Sequence, residues 1–369
     1  SSAASDVYKR QFARLRGIKL SMASMLLERC GSEEMFFTMT PAQISALMGT
    51  GAKIFADSHR REALEEARAE MPFIEANAVR MLYFTDPDYP RLLLECDDAP
   101  VVLFALGVLD LNAVNCLAIV GTRHATVYGN NMTPQIVGGI AEKTDSPVAI
   151  VSGLAFGIDV AAHRASLNAG LPTIAVVAHG LSTIYPSAHR GVAAEIIKKG
   201  GAILTEYFSS DPIHKGNFLA RNRIVAGISQ AAVIIESNIK GGAMFTARLA
   251  SEYGRSVFAL PGRVTDSFSS GCNKLISDNI AQLLTGADDI IDDLRWHRRP
   301  AAPKQQELFE ERDSDTQKII DLLTRKGELS IQEISLATDM PAPRLMAKLI
   351  DMEFDKLIAS LPGSRYRLV

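Results

Sequence analysis

The chain has 369 residues, 47% hydrophobic and 22% charged, with a net charge of −3, so two or three domains are expected. The near-neutral balance excludes a global positive field that would draw the whole chain onto a polyanion. Four scattered cysteines with no CxxC pair, no apolar run near the roughly 20 residues of a membrane span and no export signal leave a cytoplasmic protein without metal, cofactor or disulfide framework as the expectation.

The opening "SSAASDVYKRQ", residues 1–11, has no initiator Met and reads as a non-native scar outside the fold. Residues 12–80 read as a small helical domain. "MASMLLERC" and "REALEEARAEM" have helical spacing, and "TPAQISALM" opens with Thr40 as N-cap and Pro41 in the first helical position. Residues 81–111 read as a Pro-punctuated extended stretch with a strand near its end. Six short apolar runs follow: "CLAIVG", "VAIVSG", "TIAVVAHG", "AILTEY", "AVIIES" and "SVFALPG". Stretches of helical period separate them, such as "GIDVAAHRASLNAG", "VAAEIIKKG" and "FTARLASEYG". Strands apolar on both faces that alternate with helices predict an α/β domain over residues 81–296, built on a parallel sheet covered on each side. Ligands of such sheets sit beyond the carboxyl ends of the strands, where strand order reverses. The unusual residues of this sequence fall at those ends.

Residues 297–313, polar and Pro-containing, read as a linker. Residues 314–369 predict three helices followed by two short strands around Pro362 and Gly363, a winged-helix pattern. From residue 312 onward cations and acids balance at nine each, which argues against a strong DNA-binding wing and leaves a protein contact equally open.

At the first strand end stands "LAIVGTRHATVYG". The backbone of Gly121, Thr122 and Arg123 at a strand-to-helix turn favours an anion, and Arg123 adds a bidentate fork for phosphate; an ion pair to a neighbouring loop is the alternative. Neither GxGxxG nor GxxxxGK[ST] occurs. Ser152 and Gly153 make a second tight turn. Asp159 and His163, four apart on one helix face, read as a hydrogen-bonded pair bracing that loop. "HKGNFLARNRIVAGIS" carries Lys215, Arg221 and Arg223 without an acid among them, with Phe218 and Asn222 interleaved. Cations for phosphates beside a ring for bases are the requirement of single-stranded nucleic acid binding. The alternative for the arginines is capping of nearby carbonyls. Gly241 and Gly242 form another glycine turn at a helix start, with Lys240 at its lip, and packing alone is the competing reason for that pair.

Taken in order, "GTR…YG", "SGLAFGIDVAAH", "YP" at 185–186, "EY" at 206–207, the RNR block, the GG block with its "VFALPG" and "GCNKLI" resemble the DNA-processing protein A (DprA/Smf) family over roughly residues 85–290. The resemblance implies an extended Rossmann domain that binds single-stranded DNA. It further implies protection of incoming strands in natural transformation (competence), loading of the RecA recombinase, help in displacing single-strand-binding protein, a homodimer formed through the sheet domain, and no enzyme activity. The family's anion pocket maps onto Gly121, Thr122 and Arg123, and its DNA-contacting lysine and phenylalanine onto Lys215 and Phe218. Longer members carry a helical N-terminal module, of sterile-alpha-motif or helix-hairpin-helix type, and a C-terminal winged helix. This sequence departs at "VVAHGL" and at "SDNIAQ", and its N-terminal region offers only Gly17 toward a hairpin pattern.

Two other readings stand beside it. A nucleotide phosphoribohydrolase similar to the lysine-decarboxylase-like family would use a PGGxGTxxE arrangement. "KGGAMFTARLASE" lacks the required Glu there, although Glu206 and Glu236 remain at strand ends. A structural adaptor acting through the winged helix would have no DNA affinity.

Overall fold

The computed structural model describes residues 2–15, 18–49, 56–300, 314–355 and 357–368. Two compact units divide the chain, residues 1–299 and 300–369. Five helices open the first: α1 (Ser2–Arg14), α2 (Leu20–Cys30), α3 (Glu33–Thr38), α4 (Pro41–Met48) and α5 (Asp57–Ala76). Thr40 caps α4 as its sequence predicts, in a capping box closed by Gln43. Two expectations change here. Residues 2–11 do not stand outside the fold: they belong to α1, where Arg10 and Gln11 are buried and the Gln11 amide donates to the Arg60 carbonyl at 2.7 Å. Nor is the helical segment separate from the sheet, because Phe12, Phe36 and Ile44 share one apolar core with Leu82, Phe104 and Ile224. Gly17 lies outside the described residues.

The edge follows as β1 (Arg80–Tyr83), α6 (Arg91–Leu94) and β2 (Val102–Leu106). The predicted alternation then appears: β3 (Asn115–Val120), α7 (Val127–Lys143), β4 (Val148–Ser152), α8 (Ile158–Asn168), β5 (Thr173–Val176), α9 (Arg190–Lys198) and β6 (Ala202–Thr205). Two short helices, α10 (Lys215–Ala220) and α11 (Asn222–Gly227), lead to β7 (Ala231–Ile234), α12 (Gly242–Glu252), β8 (Ser256–Ala259), α13 (Ser270–Ser277), β9 (Gln282–Leu283) and α14 (Ala287–Asp293). All six apolar runs are strands. The order is β1-β2-β6-β5-β4-β3-β7-β8-β9, parallel from β6 through β9, with β1 and β2 antiparallel. Successive residues of β3 enter opposite cores, Leu117 and Ile119 on one face and Ala118 and Val120 on the other. The chain travels outward from β3 to β6 and returns to β7 on β3's other side. The reversal opens a crevice between the carboxyl ends of β3 and β7.

In the second unit α15 (Ser314–Lys326), β10 (Glu328–Ser330), α16 (Ile331–Thr338) and α17 (Ala342–Phe354) precede β11 (Ile358–Leu361) and β12 (Arg365–Leu368). The predicted pair of strands gains a third member, because β10 pairs β12 with Leu329 opposite Tyr366. Ile319, Ile334 and Leu349 belong to its own apolar core. Of the expected linker, residues 301–313 lie outside the described residues. Arg298 belongs to the first unit, bridging to Thr144 and pairing with Asp288 and Asp292.

Candidate functional site

The turn after β3 is pinned on both sides. Thr122 N–H donates to the Glu236 carbonyl at 2.7 Å beyond β7, and Ile158 N–H donates to the Thr122 carbonyl at 3.1 Å. Gly121 is required by close approach, since a Cβ there would stand 2.6 Å from Ile158 Cγ1 and 3.0 Å from the Glu236 carbonyl oxygen. With its neighbours fixed, Arg123 projects from the turn into solvent. Its guanidinium carbon lies 5.4 Å from the centre of the Phe218 ring, and no carboxylate pairs with it among the described residues. The alternative of an ion pair to a neighbouring loop is not what the structure holds.

Lys215 is exposed at the start of α10, and Phe218 is half-buried on the same short helix. Across from them α12 follows its N-cap Gly241, whose extended backbone offers no side-chain cap. The helix therefore presents its first N–H groups uncapped by its N-cap side chain, with the positive end of its dipole behind them. A Cβ at Gly241 would stand 2.3 Å from Ser237 Oγ, so close approach of that hydroxyl favours glycine there. Gly121, Thr122, Arg123, Lys215, Phe218, Asn222, Gly241 and Gly242 line one cleft of about 300 Å³ at the switch point. Phosphate chemistry and a stacking face thus meet in one place. Tyr185, absent from the predicted set, packs its ring against Phe218 at 5.5 Å. Its sequence signals are an aromatic beside a proline in a strand-end loop and its place in the YP block of the family resemblance.

Other predicted residues have different work. Ser152 is fully buried and donates to the Ile119 carbonyl at 2.7 Å, so it ties β4 to β3 and contacts no ligand space. Gly153 is buried beneath the cleft, where its N–H donates to Asp159 at 3.2 Å. Arg221 touches the cleft only as part of its floor and is 4% exposed. Its guanidinium donates to the Gly153 carbonyl at 2.6 Å and also to the Val176 carbonyl, knitting the ends of β4 and β5 together. Burial lowers its pKa, with the Asp159 charge acting in the opposite direction. It is a structural cation, and the expected surface clamp is corrected accordingly. Arg223 pairs with Glu206 at 2.5 Å and faces a separate cleft of about 610 Å³. Lys240 is exposed outside the cleft lining, its N–H donating to Asn238 Oδ1 at 3.0 Å.

Asp159 and His163 do not bond to each other as expected. His163 Nδ1 meets Thr173 Oγ1 at 2.7 Å, while Asp159 serves Gly153. Burial raises the Asp159 pKa, against the nearby charge of Arg221, and pushes His163 down to about 3. The carboxylates that a phosphoribohydrolase would need are otherwise engaged. Glu206 holds Arg223, and the buried Glu236 accepts from Thr126 N–H at 2.9 Å and Thr126 Oγ1 at 2.5 Å. No described helix is long and apolar enough to cross a membrane.

A doubly covered, mostly parallel sheet with a cleft at its switch point, followed by a winged-helix unit, defines a Rossmann-like protein with a candidate anion site. The chain belongs to the DNA recombination-mediator protein A (DprA) family, whose model matches residues 80–295, and a DprA winged helix domain model matches residues 299–364. A DNA processing protein DprA of Mycobacterium tuberculosis is 32% identical over 334 residues, 86% of this chain and 84% of its own length. Protein Smf of Escherichia coli is 34% identical over 284 residues, 76% of this chain and 75% of that protein. The solved DprA of Streptococcus pneumoniae superposes with a TM-score of 0.66 at 30% identity, over 78% of this chain and 97% of that one. DprA of Helicobacter pylori, solved for its single-stranded DNA binding mode, gives 0.53 at 32% identity over 59% and 97%.

Proposed function

We propose that the protein binds single-stranded DNA in the switch-point cleft and performs no covalent chemistry on it. The observation that carries this reading is the convergence of Arg123, Lys215, Phe218 and the start of α12 on one cleft. Phosphates lie against Gly121–Arg123, Lys215, Asn222 and the Gly241–Gly242 turn, and a base stacks on Phe218, worth ~1–3 kcal/mol. A duplex keeps its bases paired and denies Phe218 that contact. Family membership and the single-stranded DNA binding of the Helicobacter pylori relative support the same polymer here.

The wider role in this reading is a cytoplasmic homodimer that protects incoming strands during transformation and loads the RecA recombinase in place of single-strand-binding protein, and membership of the family supports it. Two clefts in a dimer raise avidity without a new contact.

Fluorescence anisotropy with a labelled single strand and its duplex, across a salt series, tests the cleft. The expected result is a single-strand preference whose log affinity falls linearly with log salt. Equal affinity for both forms, or wild-type binding by the combined Arg123→Ala and Phe218→Ala protein, removes the reading. Recombinase filament assembly on strands already coated with single-strand-binding protein, with and without this protein, tests loading.

A further inference from the structure

The aromatic surface continues past Phe218. Tyr185 lies against it with the ring planes 58° apart, and 46% of Tyr185 is exposed. The loop after β4 presents a third ring, Phe156, 49% exposed and edge-on to His189 at 4.9 Å. His189 is itself buried, with Nδ1 2.8 Å from the Leu154 carbonyl, so the loop after β4 is fastened to the short 3-10 turn Ser187–His189 that follows β5. Ala155, next to Phe156, lines the cleft that holds Arg123 and Phe218. The two loops and the cleft therefore make one uninterrupted rim along the carboxyl ends of β3, β4 and β5.

The chemistry of that rim is one-sided. Residues 153–158 and 177–191 contain no Asp or Glu, and Asp159, which lines the cleft, is buried. Arg190 is exposed at the start of α9 and has no ion-pair partner among the described residues. Exposed rings with a free cation and no exposed carboxylate are the pattern that accepts bases and phosphates in turn. Every base has a π-face, so such a row tolerates any sequence of unpaired nucleotides.

We propose that the rim is a second DNA subsite: Tyr185 and Phe156 receive the bases of nucleotides that follow the one on Phe218, and Arg190 receives a phosphate. The inference rests on the cleft being a single-stranded DNA site, and its occupant is the same strand.

The test uses the full chain and two labelled oligothymidylates, one of about 4 nucleotides that fills only the cleft and one of about 16 that reaches the rim. Tyr185→Ala with Phe156→Ala is expected to weaken the long oligonucleotide at least about 10-fold and to leave the short one at wild-type affinity. Arg190→Ala is expected to lower the salt slope for the long oligonucleotide by about 0.7 with the short one unchanged. Tyr185→Leu with Phe156→Leu keeps apolar bulk without a ring, guards against a folding defect, and is expected to follow the alanine pair. Wild-type binding of the long oligonucleotide by all these variants overturns the subsite while the cleft stands. Equal losses on both lengths overturn it too, by assigning the residues to the cleft itself. A rim that captures a protein instead gives unchanged DNA affinity in every variant, and a wild-type chain that binds neither length ends both proposals.

Discussion

Arg123 and Phe218 form a cation–π pair, with 5.4 Å from the guanidinium carbon to the ring centre, although one comes from the turn after β3 and the other from α10. The pair holds a charge and a stacking face in fixed relation before any strand arrives. Arg123→Ala is expected to flatten the salt dependence of single-strand affinity by about 0.7 in slope, one phosphate's worth. Phe218→Ala is expected to weaken binding by ~1–3 kcal/mol with the slope nearly unchanged. The doubly substituted protein should lose less than the two single losses together, by roughly 0.5–1 kcal/mol, because each single change already breaks the pair. Anisotropy titrations at several salt concentrations measure all three, and additive losses with parallel slopes would contradict this account.

Arg221 should behave in the opposite way. Its guanidinium bonds two strand-end carbonyls and lies beside the buried Asp159, so Arg221→Ala leaves acceptors and a carboxylate uncompensated in the interior. The expected cost is about 3–5 kcal/mol of unfolding free energy, read from urea denaturation. The salt slope of whatever protein remains folded should match wild type. A stable Arg221→Ala protein with a reduced slope would return Arg221 to the phosphate clamp.

The contrast between these two arginines marks how far the sequence can be read. The strands were legible because each is a short apolar run ending in a turn, and the cleft's position followed from the order of those runs. Neither arginine has an acid near it in sequence, so composition treats them alike. What separates them is direction: the Arg123 turn is anchored by Ile158 and Glu236 and points outward, whereas Arg221 points back under Gly153. Arg223 differs again because Glu206, distant in sequence, closes on it only through the fold. β10 escaped notice because three residues carry no periodicity, and Tyr185 because its partner ring lies on another element.

The loop that leads into α10, the helix of Lys215 and Phe218, is tethered to the N-terminal helices. Glu70 of α5, 4% exposed, accepts from Ser209 N–H at 2.8 Å and Ser209 Oγ at 2.6 Å. Arg14 of α1 meets Asp211 at 2.7 Å and stands 4.7 Å from the Phe208 ring centre. Helices that share a core with the sheet therefore restrain the approach to α10. Glu70→Ala is expected to cost about 1–3 kcal/mol by removing both hydrogen bonds that the half-buried Ser209 donates to this carboxylate. Amide exchange across residues 207–214 should quicken about 10-fold or more, as local opening becomes easier. Unchanged exchange there, with Glu70→Ala folded, would mean that the helices do not restrain the loop.

His163 supplies a pH dependence that is independent of DNA. Thr173 Oγ1 donates to the Ile150 carbonyl at 2.7 Å, so it must accept from His163 Nδ1–H, which fixes the neutral tautomer; Nε2 is buried without a partner among the described residues. Burial pushes the folded pKa down to about 3, against 6.5 for an exposed imidazole. The unfolded chain thus binds the proton first as pH falls, and stability declines from about pH 6.5 down to about pH 3, where the loss levels off. Between pH 7 and pH 5 this one group should remove about 2 kcal/mol of unfolding free energy. His179, also lowered by burial, acts in the same direction. In urea denaturation at the two pH values, His163→Leu should lose about 2 kcal/mol less than wild type over that interval. Equal losses in the two proteins would show that the imidazole titrates in the folded state near its ordinary value.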